Sequence, residues 1–90
     1  MEELINKADT FLVDVRTPAE VAEVAVPGAV NIPLDTLPAN LGRFKEAQGA
    51  VVVFCRSGAR SESAKNWLLQ NGVSEVYNAG GYPSVLAVKN

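Results

Sequence analysis

The segment Ala50–Cys55, reading AVVVFC, limits the fold more than any other stretch of this 90-residue chain. It is apolar at every position, rich in β-branched side chains, and shows no alternation. A half-exposed strand would alternate and an amphipathic helix would repeat every 3.6 residues. The run therefore reads as a strand buried on both faces, the situation of strands in a parallel sheet covered by helices. The remainder of the chain has to supply its neighbours and its covers.

Glycine and proline divide that remainder into short segments. Thr10–Val15, Ala29–Ile32 and Ser74–Ala79 read as further strands. Pro18 begins a short helix through about Val24, with Thr17 as its N-cap. Asp35 is placed to cap a helix containing Leu41, Phe44 and Ala47, which Pro38 and Gly42 interrupt and Gly49 ends. Arg60–Gln70 reads as a helix with Ala64, Trp67 and Leu68 on its apolar face, stopped by Asn71-Gly72. Gly80-Gly81-Tyr82-Pro83 predicts a turn, and Pro83–Val88 a last short helix. This alternation predicts a single α/β domain over residues 1–90. Its central, mostly parallel sheet would have four to five strands, right-handed crossovers and helices on both faces.

Composition removes several function classes. Ten acids against eight bases give a net charge of −2, which argues against a nucleic-acid or anionic-membrane surface. No segment approaches the ~20 apolar residues of a membrane helix. Met1–Asp9 has neither a basic start nor an apolar stretch, so it does not read as a secretory leader. One cysteine makes no internal disulfide and fits a reducing compartment, with the cytoplasm as the default location. There is no histidine, so a Cys–His pair, a histidine general base and a histidine metal site are impossible. No metal or cofactor is expected, and whatever activates Cys55 must be electrostatic.

Cys55 ends the buried strand, and the polar loop Arg56–Ala59 leads into the next helix. In parallel α/β sheets, ligands bind beyond the carboxyl ends of the strands. A strand-to-helix loop gathers backbone N–H groups, and the helix N-terminus adds its dipole, making a concavity for an anion. Gly58 permits positive φ and close backbone approach. Arg56 and Arg60 bracket the turn, and Ser57 and Ser61 add hydroxyl donors. Such surroundings favour thiolate over thiol. The alternative reading is a small hydrophobe packed at a strand end. Asp14 and Arg16 lie two apart at the end of a strand and face the same way. They read either as a catalytic acid–base pair or as an ion pair, with Glu20 as a further partner, that braces the neighbouring loop.

Cys55-Arg56-Ser57-Gly58-Ala59-Arg60-Ser61 resembles the active-site loop of the rhodanese family of sulfurtransferases. Asp14-Val15-Arg16 followed by Glu20 resembles the family's D-x-R-x-x-x-E pattern. Val26–Pro33 resembles its I-P-G-A-x-N-I-P segment, and Gly80-Gly81 its late double glycine. The resemblance spans residues 11 to about 83. It implies that Cys55 accepts a sulfane sulfur from a small anionic donor such as thiosulfate, and that the loop Arg56–Ser61 holds it. It also implies transfer from a Cys55 persulfide to a thiophilic acceptor: cyanide, a thiol or a partner protein. In the family, six residues from Cys to Arg go with sulfur transfer and seven with phosphate hydrolysis, and Cys55–Arg60 is six. The histidine the family usually carries is Ala25 here, and Tyr82 stands near the place of a frequent tryptophan. A non-catalytic binding module and a phosphatase or arsenate reductase remain the alternatives.

Overall fold

The computed structural model describes all 90 residues. Four strands, β1 (Phe11–Asp14), β2 (Val30–Asn31), β3 (Val51–Cys55) and β4 (Val76–Gly81), form one sheet in the order β2-β1-β3-β4. Every neighbouring pair is parallel. The helices are α1 (Glu2–Asn6), α2 (Pro18–Glu23), α3 (Leu41–Lys45), α4 (Ala59–Gln70) and α5 (Tyr82–Val88). This is the expected α/β architecture, with the smaller of the two expected strand counts. No helix is long and apolar enough to cross a membrane.

All five residues of β3 are buried, and alternate ones enter two separate cores. Val51, Val53 and Cys55 face Phe44 of α3 and Ala64 and Leu68 of α4, together with Val13, Val15 and Ile32. Val52 and Phe54 face the other way, against Ile5 of α1, Val85 of α5, Leu12 and Val26. The absence of alternation in AVVVFC is thus the signature of helices on both faces. Trp67 is only half-buried at the edge of the first core.

Two expectations need correction, and one element was not foreseen. Asp35 does not cap a helix. It lies within a single 3₁₀ turn, Leu34–Thr36, followed by a second, Pro38–Asn40, before α3 begins. Pro38 lacks the N–H a continuous helix would need there, so the segment is broken into short pieces. Gly80 and Gly81 do not form a turn either; they are the last residues of β4, which runs directly into α5. Between the pairs Val53↔Asn78 and Cys55↔Gly81, two steps along β3 match three along β4. That extra residue is a bulge, and Gly80 takes it up at φ +87°. Finally, α1 gave no signal in the sequence. Five residues do not hold a helix alone. Tertiary contacts hold this one: Ile5 is buried, Asn6 Nδ2 donates to Val88 O at 2.8 Å, and Thr10 Oγ1 donates to Leu4 O at 2.7 Å.

The two-sided core makes a simple stability prediction. Phe44 is 1% exposed and its ring lies 5.3 Å from that of Phe11. Phe44→Ala should cost about 3–5 kcal/mol, while Leu86→Ala on the exposed side of α5 should stay within about 0.5 kcal/mol, both read from denaturant midpoints.

Candidate active site

The sulfur of Cys55 lies at the carboxyl end of β3, where the chain turns into α4. Three donors converge on it: Gly58 N at 3.1 Å, Ser61 N at 3.4 Å and Ser61 Oγ at 3.3 Å. Gly58 is the N-cap of α4 and sits at φ +104°, a conformation that turns the loop back over the sulfur and that side-chain-bearing residues rarely adopt. The backbone N–H groups of Ala59 and Arg60, in the first turn of α4, have no backbone acceptor. Burial pushes the Cys55 thiol up. The Ser61 hydroxyl and the N–H groups of Ser61, Ser57 and Gly58 outweigh it, bringing the thiol down to about 7. These donors favour the thiolate, and no histidine is needed to do so.

The loop is fixed from β4. Asn78, which the sequence reading did not single out, reaches across from the bulge. Its Oδ1 accepts from Ser61 Oγ at 2.7 Å and from Gly80 N at 2.9 Å. Its Nδ2 donates to Gly58 O at 3.1 Å and to Glu62 Oε1 at 3.0 Å. One amide thus touches both residues that contact the sulfur. The available signal was an amide interrupting a strand just before a double glycine. Gly81 is the second fixed point: a Cβ there would stand 2.6 Å from Arg56 O. Only glycine lets β4 approach the loop this closely.

The charged residues pair differently from expectation. Asp14 and Arg16 do form a buried ion pair, with Nη2 to Oδ2 at 2.7 Å, and Nε donating to both carboxylate oxygens. Arg16 also donates to Val24 O at 2.7 Å and lies 4.2 Å from the centre of the Tyr82 ring. Its hydrogen bonds to Asp14 raise the guanidinium pKa further. Glu20 does not join this pair. It forms a capping box with Thr17 at the start of α2 and a two-pronged bridge to Arg60, at 2.7 and 2.9 Å. Arg60, then Thr17, hold the Glu20 carboxyl down at about 2. Arg60 therefore meets α2 with its charge already opposed. Arg56 and Ser57 are exposed. Arg56 lines a cleft of about 140 Å³ with Arg16, Glu20, Glu23, Val24 and Tyr82. Asn31 ties the strand ends together by donating to Asp14 O and Arg16 O, both at 2.9 Å. Ala25 is exposed, so no core packing depends on its side chain. Nowhere do three or more Cys, Asp or Glu side chains gather as metal ligands.

Comparison with known proteins identifies the family and fold to which this chain belongs. Residues 1–87 match the family model described as the rhodanese-like domain. A sulfurtransferase of Allochromatium vinosum is 39% identical over 80 residues, covering 89% of this chain and 74% of that protein. The thiosulfate sulfurtransferase PspE of Escherichia coli is 33% identical over 78 residues, covering 86% of this chain and 75% of that protein. Among solved structures, a rhodanese with anions from E. coli superposes with a TM-score of 0.75 at 33% identity, covering 83% of this chain and 89% of that one.

The geometry makes two predictions about the thiol. Alkylation of Cys55 by iodoacetamide should be half-maximal near pH 7, the depressed value, and fall about tenfold per pH unit below it as the thiolate is protonated. Gly81→Ala should force the Arg56 carbonyl away and disorganise the donors. It should shift that midpoint upward toward the ordinary thiol range and cost about 1–3 kcal/mol in denaturant unfolding.

Proposed function

This chain belongs to the rhodanese-like domain family and is a relative of sulfurtransferases, and we propose that Cys55 is its sulfur carrier, taking a sulfane sulfur from thiosulfate or a similar anionic donor and passing it on as a persulfide. The observation that carries this reading is the convergence of Gly58 N, Ser61 N and Ser61 Oγ on one sulfur atom. Those donors stabilise negative charge on sulfur and supply no base, which suits a nucleophile that needs only to be a thiolate.

In the first half-reaction the Cys55 thiolate attacks the outer sulfur of thiosulfate. The new S–S bond forms as the old one breaks, and sulfite leaves with the electron pair. The product is Cys55–S–S⁻, and the charge now sits on the outer sulfur. The Ala59 and Arg60 N–H groups at the start of α4 are the donors available to it, supported by the helix dipole. In the second half-reaction a thiophilic anion (cyanide, or a small-molecule or protein thiol as its thiolate) attacks that outer sulfur. The S–S bond to Cys55 breaks, the sulfur leaves as thiocyanate or as the acceptor's persulfide, and the electron pair returns to Cys55 as thiolate. No proton transfer from the protein is required in either step.

The two arginines take different parts in this scheme. Arg56 is exposed and makes no ion pair, so its charge acts on the incoming dianion. Arg60 is held by Glu20 and positions the start of α4. Ser57, Gly58, Ala59 and Ser61 shape the cradle, and Asp14 with Arg16 braces the end of β1 beside it.

Intact mass after incubation with thiosulfate should rise by about 32 Da, one sulfur, and return to the starting value with cyanide. Cys55→Ser should abolish both the mass shift and turnover. A wild-type protein that gains no sulfur from thiosulfate or from a persulfide donor would sink this reading. Arg56→Ala should raise the KM for thiosulfate roughly tenfold with a smaller change in kcat, as expected for loss of a charged contact to a bound anion.

A further inference from the structure

We propose that Asn78 and Cys55 compete for the single hydroxyl proton of Ser61, which lies on the sulfur when Cys55 is a thiolate and on Asn78 when that sulfur is capped as a thiol or a persulfide. The persulfide half of this statement rests on the function proposed above; the competition itself does not.

Ser61 is completely buried, and its Oγ has three acceptors within reach: Asn78 Oδ1 at 2.7 Å, Gly58 O at 3.1 Å and Cys55 Sγ at 3.3 Å. A hydroxyl has one proton to give. Gly58 O already accepts from Glu62 N at 3.0 Å and from Asn78 Nδ2 at 3.1 Å, which occupies both of its lone pairs. The Asn78 amide has only one workable orientation. Gly80 N donates to its oxygen, while its nitrogen donates to Gly58 O and Glu62 Oε1. Flipping it would set donor against donor and acceptor against acceptors. One lone pair of Asn78 Oδ1 remains, and it points at Ser61. The proton therefore chooses between that oxygen and the sulfur.

The charge on sulfur decides the choice. A neutral thiol or the inner atom of a persulfide is a weak acceptor, so the short bond to Asn78 wins. A thiolate is an ionised acceptor, and hydrogen bonds to such groups are roughly twice as strong as neutral ones. The N–H groups of Gly58 and Ser61 are fixed by the backbone and cannot respond. The hydroxyl can, by rotation about one bond. Asn78 consequently favours the capped states of Cys55 over the free thiolate. It acts as a positioning residue, holding the thiol slightly less acidic than the cradle alone would make it and easing sulfur loading.

The test is a double-mutant cycle on the Cys55 pKa, read from thiolate ultraviolet absorbance and from the pH dependence of alkylation. The four proteins are wild type, Asn78→Ala, Ser61→Ala and the double variant. Loss of Asn78 also disturbs the loop, but that disturbance is common to both Ser61 backgrounds and cancels. The surrounding charges are the same in all four: Arg60 with Glu20, Asp14 with Arg16, Arg56 and Glu62. The change in pKa caused by Asn78→Ala should be lower by about half a unit when Ser61 is present than when it is Ser61→Ala, the worth of one neutral hydrogen bond. A coupling of zero, or of the opposite sign, overturns the proposal; the opposite sign would mean that Asn78 holds the hydroxyl on the sulfur. Asn78→Asp in the same cycle provides a second reading, and the only one if Asn78→Ala does not fold. Its carboxylate binds the hydroxyl harder, so the pKa should rise further with Ser61 than without it; an equal or smaller rise also overturns the proposal. No sulfur donor enters these titrations, so a protein that never forms a persulfide would fail the functional reading while leaving the cycle interpretable.

Discussion

β3 lies between β1 and β4 with helices packed on both of its faces, so none of its five residues meets water along its length. The chain can leave this environment only at the carboxyl end of the strand, and Cys55 is the residue at that point. Burial alone would make its sulfur a poor anion. The loop reverses this because the backbone has to turn sharply into α4 above the sulfur, and the turn aims Gly58 N and Ser61 N at it. Those N–H groups belong to the open first turn of a helix, where backbone donors lack internal partners. The sulfur thus satisfies donors that the fold would otherwise leave unpaired.

The loop keeps this shape because it is clamped from three directions. β4 presses against it through Gly81, where no side chain could fit, and through the Asn78 amide. The bulge at Gly80 places both, since without the extra residue Asn78 and Gly81 could not both address the loop. α2 holds Arg60 through Glu20, whose carboxylate also caps that helix. The end of β1 is stiffened by the Asp14–Arg16 pair, with Arg16 stacked on Tyr82. A buried ion pair contributes little net stability of its own, but removing one partner strands the other's charge. Its value here lies in fixing where the chain goes after β1.

The same pairing pattern separates two residues that look alike in the sequence. Arg56 and Arg60 are four apart and equally basic. Only the meeting of α2 with α4 distinguishes them, by giving Glu20 to Arg60 and leaving Arg56 to the solvent. The spacing of Asp14, Arg16 and Glu20 suggests one ionic cluster. In space the direct pairs are two, Asp14 with Arg16 and Glu20 with Arg60, because Glu20 in the first turn of α2 reaches the guanidinium that α4 presents while it shares a cleft with Arg16.

The local pattern of the chain was enough to define the parallel sheet, the two-sided core and the cysteine at the end of its buried strand. Unbroken apolar β-branched residues have few other places to go, and a polar, glycine-containing loop after such a strand must lead outward into a helix. The Thr17 cap and the α4 stop were legible for the same reason, since capping is a matter of a few adjacent residues. What tertiary structure alone decided depends on residues distant in the sequence. α1 exists because Ile5 and Asn6 find partners near the opposite terminus. The double glycine is a bulged strand end, and no turn, because β3 is there to pair with it. Asn78 holds both residues that contact the sulfur, a role its place shortly before a double glycine only hints at, because the pairing of β4 with β3 and the bulge at Gly80 bring it there. Sequence determines which groups can meet at Cys55. The register of β4 and the docking of α2 determine which of them do, because a hydrogen bond is set by distances of a few tenths of an ångström that no linear spacing encodes.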